Sequence, residues 1–176
     1  MNVPEIPNSV INMSGAFSSC SNLVNIPAIP NSVTTLSSTF SGCSKLVDAP
    51  AIPSSVTNIS WTFSSCSNLV NAPAIPNSVT NMYRTFGSCI NLTNAPIIPD
   101  SVTDMTMAFY ACNNLAGDIY IHSSNVTSAS GCFLNTTLSK NVYIPFNTTT
   151  HTSFTNAGYD EIGTTNGVYL KDINSL

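Results

Sequence analysis

The chain has 176 residues, of which four are Lys or Arg and eight are Asp or Glu, giving a net charge of -4. Charged residues make up only 7%, against roughly 25% in an average soluble domain, while 26 Ser, 22 Asn and 20 Thr supply polar surface through hydroxyls and amides. Lys45, Arg84, Lys140 and Lys171 cannot neutralise a run of phosphates or an anionic bilayer, and no apolar run reaches membrane-spanning length, so nucleic-acid binding and membrane insertion are excluded.

From its first residues the chain repeats every 23 positions. Cys20, Cys43, Cys66, Cys89 and Cys112 mark the step, and Phe17, Phe40, Phe63, Phe86 and Phe109 keep it, as do the columns headed by Val10, Leu23 and Ile6. A 23-residue unit cannot bury its own apolar face, so successive copies must stack with each column forming a ladder through a shared core. The expected product is a repeat solenoid of about seven coils, each advancing about 4.8 Å. Residues 1–7 fall in register with 24–30 and start partway through a coil with no visible cap. That points to a fragment of a longer protein, or to an end that docks onto something, including another copy of the chain.

Within one coil, residues 69–73 are expected to form a short parallel strand. Pro73 and Pro76 mark a bend, since proline fixes φ and has no ladder donor. Ser78-Val79-Thr80 opens a second face with valine inward, and 62–66 reads as one helical turn that points Phe63 and Cys66 into the core.

Regularity holds over residues 1–122 and loosens over 123–145. There Val102 is followed by Val126 at a step of 24, whereas Leu115 to Leu138 is again 23, and Thr136 takes the cysteine position. Cys132 stands one place before the phenylalanine and is expected to be the exposed thiol. Residues 146–176 lose the pattern and read as a C-terminal cap, which solenoids need.

The pattern Leu69-x-x-Ala72-Pro73-x-Ile75-Pro76-x-Ser78-Val79-Thr80-x-Met82-x-x-x-Phe86-x-x-Cys89 resembles the BspA-like leucine-rich repeats of bacterial surface proteins, and the likeness covers about residues 1–145. The resemblance implies a curved, right-handed leucine-rich-repeat superhelix of short parallel strands, single helical turns and coil. It further implies display outside the cell, with adhesion to host proteins or other cells as the role. Such repeats are also similar to segments of tail or fibre proteins of bacterial viruses, which adds the virion surface as a location.

Chemistry beyond binding finds little support. Thiols 23 residues apart line one edge of a solenoid instead of surrounding an ion, and parallel Cα–Cβ vectors at about 4.8 Å suit disulfides poorly, so the cysteines read as reduced structural thiols. His122 and His151 are the only histidines, and neither a nucleophile elbow nor a phosphate loop accompanies them. No enzyme, metal or cofactor is expected. The Ser/Thr array around the inward valines resembles an ice-binding face, with inter-coil hydrogen bonding as the plainer reading.

Binding surfaces are expected where the repeat varies. One column runs Gly15, Ser38, Trp61, Arg84, Met107, and the place before it carries Tyr83. These positions are expected to face solvent, and Trp, Tyr, Arg and Met are types enriched at protein interfaces; drift at an unconstrained column is the alternative. A second column turns aromatic at Tyr120 and Tyr143 and, with Tyr110, reads either as cover for the open core or as a contact patch. Two functions follow. One is a non-enzymatic extracellular module binding a host or neighbouring-cell protein or glycan; the other is a structural unit, such as a fibre segment, that stacks end to end through its uncapped first coil.

Overall fold

The computed structural model of the chain describes residues 3–137, 140–146, 148–163, 165 and 167–176. Leu138, the expected leucine of the divergent coil, and residues 1–2 of the N-terminal register lie outside them.

The backbone N–H groups of residues 58–66 divide by parity. Those of Ile59, Trp61, Phe63 and Ser65 donate to the carbonyls of Asn81, Tyr83, Thr85 and Gly87 in the next coil at 3.1, 2.8, 2.9 and 2.7 Å. The intervening N–H groups turn back: Thr62 to Ile59, Ser64 to Trp61, Cys66 to Phe63, and Ser60 to the Asn58 side-chain oxygen at 2.9 Å. Every donor from 59 to 66 is thereby used. The same alternation recurs through the regular coils, and it explains the small polar column that runs Asn58, Asn81, Asp104: each side chain caps the N–H two residues later.

This alternation requires the backbone to pass through the left-handed region once every four residues. Positive φ occurs in two columns, one through Gly15, Ser38, Trp61, Arg84, Met107 and Gly131, the other through Ser19, Gly42, Ser65, Ser88, Ala111 and Asn135. The 62–66 segment is therefore a run of tight turns and not the expected helical turn, although Phe63 and Cys66 do point into the core.

The opposite side of each coil is held more sparsely. Where a strand was expected over 69–73, a single parallel bridge joins Asp48, Asn71 and Asn94, and another ladder of single bridges links Asn12, Thr35, Asn58, Asn81, Asp104 and Ser128. Prolines remove the donors that would lengthen these pairings. Continuous strands form only near the C-terminus, in a three-stranded parallel sheet of β1 (Ile119–Tyr120), β2 (Lys140–Ile144) and β3 (Val168–Asp172). Ile119 pairs with Val142, and Val142 with Leu170, so the spiral continues past residue 145.

Apolar columns fill the interior. Phe40, Phe63, Phe86, Phe109 and Phe133 are fully buried and, with Phe17, stack at ring-centroid spacings of 5.5–5.7 Å. Tyr120 and Tyr143, on the strand side, stack at 4.9 Å, close to the ordinary inter-strand spacing of about 4.8 Å. Beyond Phe133, helix α1 (Thr149–Asn156) brings Phe154 over the column, and Tyr159 meets Phe133 edge-on while its hydroxyl accepts the Phe133 N–H at 2.8 Å. The C-terminal end of the core is closed.

Polar side chains inside are spent on inter-coil hydrogen bonds. The thiols of Cys43, Cys66, Cys89 and Cys112 donate to the carbonyls of Phe17, Phe40, Phe63 and Phe86 at 3.0–3.1 Å. Burial pushes Cys43 from an ordinary value of 9.0 up to about 11 and Cys66 up to about 12, which keeps the proton the bond needs. All six cysteines are unbridged. Cys132 is fully buried, not exposed: it stands in the column of Thr39, Thr62 and Thr85, whose hydroxyls bond to the preceding coil, and that column faces inward. Ser32, Ser55, Ser78 and Ser101 likewise donate to carbonyls of the preceding coil at 2.6 Å, so the hydroxyl array is structural.

Candidate interaction surface

Trp61, Arg84 and Met107 occupy the first left-handed column, with φ of 58°, 50° and 53°. For a residue with a Cβ this conformation costs about 1–2 kcal/mol relative to right-handed backbone. Glycine escapes that cost, and glycine stands in the same column at positions 15 and 131. Fold stability alone therefore gives no reason for tryptophan, arginine and methionine in the middle coils.

Four of the expected site residues come together there. Arg84 reaches back over the previous coil, placing its guanidinium carbon 4.6 Å from the centre of the Trp61 ring, and the Tyr110 ring closes its other side at 5.0 Å. Tyr83 meets Trp61 edge-on with centroids 5.6 Å apart. Tyr110 is steadied by Asn135, whose amide donates to its hydroxyl at 3.2 Å. The guanidinium thus packs against two aromatic rings, each contact stabilising by about 0.5–1 kcal/mol at a partly exposed site. Mutual packing leaves Trp61, Tyr83, Arg84 and Tyr110 half-buried instead of fully facing solvent as expected. Met107 leans the other way, its Cγ 3.3 Å from where a Cβ would stand on Gly131.

Arg84 lacks an acid. Among the described residues no carboxylate lies within ion-pairing distance, and its Nε is buried with no hydrogen-bond acceptor. Asp104 directs one oxygen to the Thr106 N–H at 2.8 Å. The hydroxyls beside the column are also committed, Ser37 with Ser60 and Thr106 with Ser128.

Tyr120 and Tyr143 join each other and not this cluster. They stack on the sheet, on the face formed by the Pro-x-Ile-Pro segments. That face carries an apolar groove the sequence reading did not foresee. One cavity of about 500 Å³ is lined by Ala72, Ala74, Ile75, Pro96, Ile97 and His122 among others, and a similar one of about 460 Å³ lies between Pro27 and Pro53. The available signal was alanine between two prolines in consecutive coils, which leaves a gap no side chain fills. Among the described residues no group of three His, Cys, Asp or Glu side chains is placed to hold a metal ion. No described helix is long and apolar enough to cross a membrane.

Comparison with known proteins agrees with the architecture. Two bacterial leucine-rich repeat proteins of known structure are similar to it. One, from T. pallidum, has 24% identity and a TM-score of 0.58 over 76% of this chain and 67% of that one. The other, from Bacteroides ovatus, has 22% identity and a TM-score of 0.57 over 80% of this chain and 42% of that one. The chain spans about two thirds of the first and less than half of the second, and at these identities the likeness shows the fold. Among curated proteins no significant match is found. The BspA type leucine-rich repeat region matches six copies, over residues 2–115 and 37–163, and the chain belongs to that family.

Proposed function

We propose that this chain is a non-enzymatic recognition module of a surface-displayed protein, which binds a protein partner on a host or neighbouring cell through Trp61, Tyr83, Arg84 and Tyr110, with Met107 at the patch edge. Family membership supports a repeat module used for interaction. The observation that carries the choice of surface is the clustering of Trp61, Tyr83, Arg84 and Tyr110 in one half-buried patch, with Trp61 and Arg84 at φ of 58° and 50°, where glycine would avoid strain. The types present, Trp, Tyr, Arg and Met, are those that concentrate binding energy at interfaces. Tyr120 and Tyr143 belong to a separate face and contribute, on this reading, to covering the sheet.

The test is attachment of the purified chain to a panel of immobilised extracellular proteins and to a glycan array. Binding to a protein that is lost in Trp61→Ala and in Arg84→Ala supports the proposal. Binding that survives both substitutions removes this surface from it.

End-to-end assembly has one observation in its favour. The carbonyls of Asn12, Ser14, Ala16 and Ser18 correspond to acceptors that are paired in every later coil, yet among the described residues none receives a donor. Head-to-tail growth also needs an open far end, and Phe154 and Tyr159 cover that end. Light scattering after size exclusion separates the readings, since stacking predicts a mass that rises with concentration.

A further inference from the structure

Resting on the recognition surface proposed above, we infer that Arg84 is a preformed receptor for a carboxylate, and that the partner presents an aspartate or glutamate side chain flanked by apolar residues.

Immobilising an arginine side chain costs rotamer entropy. Here part of that cost is met before any partner arrives, because Trp61 at 4.6 Å and Tyr110 at 5.0 Å both pack against the guanidinium. Packing of the guanidinium carbon over the rings consumes no N–H donor by a conventional hydrogen bond, which leaves the terminal N–H groups for another partner. In-plane N–H groups are the ones that pair with a carboxylate in the two-pronged geometry arginine favours. Among the described residues no acid takes that place; Nε is shielded inside the protein, so a partner's carboxylate would pair with the two terminal Nη groups. In a protein of net charge -4, a cation left unpaired and rigid is an attachment point for an anion, not part of an internal network.

What surrounds Arg84 selects the class of partner. A sugar acid carries several hydroxyls that must find partners when they leave water, and the flanking hydroxyls are already paired with one another, Ser37 with Ser60 and Thr106 with Ser128. The surface offers one charged fork among an indole and two phenol rings. That matches a single carboxylate within an apolar stretch of polypeptide.

The experiment is NMR titration of the 15N-labelled chain, following the side-chain N–H signals of Arg84 and Trp61, with acetyl-Leu-Glu-Leu-amide, its glutamine counterpart, and glucuronate, each to about 20 mM, where contacts of millimolar strength are visible. The expected result is that the glutamate peptide shifts both signals and binds about tenfold tighter than the glutamine peptide, the scale of a charge-assisted pair. The preference should vanish in Arg84→Gln. Equal binding of the two peptides at this cluster would overturn the carboxylate assignment while leaving the recognition surface standing. Absence of any shift with either peptide would overturn both. Glucuronate binding as tightly as the glutamate peptide would overturn the assignment to a protein partner in favour of an acidic glycan. The peptide pair is read on the unsubstituted chain, so the outcome does not hang on how Arg84→Gln folds.

Discussion

The guanidinium of Arg84 lies 4.6 Å above the ring of Trp61, its counterpart one coil earlier in the same left-handed column. Two residues that each strain the backbone are thereby placed in direct contact. Their attraction, about 0.5–1 kcal/mol, offsets only part of a strain of about 1–2 kcal/mol at each residue. This contact alone leaves the two positions net strained by about 1–3 kcal/mol, so it does not by itself account for their side chains.

The phenylalanine column is the counter-example, where stability is the whole purpose. Phe63 is fully buried between Phe40 and Phe86, and Phe63→Ala is expected to cost about 3–5 kcal/mol. Phe17 is only half-buried at the open end, so Phe17→Ala should cost about half as much or less, the cost falling with the area removed from water. Urea denaturation of both variants measures the difference, and equal losses would show that the N-terminal coil is packed as tightly as the middle.

Left-handed positions without a visible partner should welcome glycine. Ala111 has φ of 53°, in the column that holds Gly42. Ala111→Gly removes strain of about 1–2 kcal/mol while adding about 0.4–1 kcal/mol of unfolded-state entropy, for a net gain of about 0.5–1 kcal/mol. A lower urea midpoint in this variant would contradict the account of the backbone.

The thiol ladder predicts weakness to alkali. Burial, first of all, raises Cys43 from 9.0 to about 11 and Cys66 and Cys112 to about 12, so above pH 9 the unfolded chain releases protons that the folded chain keeps. The contribution of these thiols is complete below about pH 9 and is lost as pH rises through 11 to 12, because stability falls wherever the unfolded state binds fewer protons. Denaturation midpoints measured from pH 7 to 11 should stay level to about 9 and then drop. A Cys66→Ala variant should show a shallower drop, and an identical slope would remove the thiols as its cause.

Much of the molecule was legible in the 23-residue period. It placed Phe63, Cys66, Leu69 and Val79 inward, and all four are fully buried. What it concealed was backbone geometry. A column reading Gly15, Ser38, Trp61, Arg84, Met107 does not announce a left-handed conformation, because its other glycine, Gly131, falls one residue out of the 23-residue step and the residues between suggest free exposure. Only the alternating hydrogen bonds show that every member is turned the same way. The strand expected at 69–73 shrinks to single bridges at Asn71, because the prolines that follow remove the donors a longer ladder needs. Cys132 was misplaced because its threonine equivalents look like surface residues, whereas Thr62 is buried with its hydroxyl on the Leu36 carbonyl at 2.7 Å.

The most direct test separates binding from folding at the same two positions. Glycine suits φ of 58° and 50°, so the double variant Trp61→Gly, Arg84→Gly should fold with stability within about 1 kcal/mol of the unsubstituted chain, strain relief offsetting the lost contacts. Measured on protein partners from the attachment panel, that folded variant should lose about a hundredfold or more in affinity, as expected when two anchor residues go. Undiminished attachment by a folded double variant would contradict the claim that these side chains serve recognition.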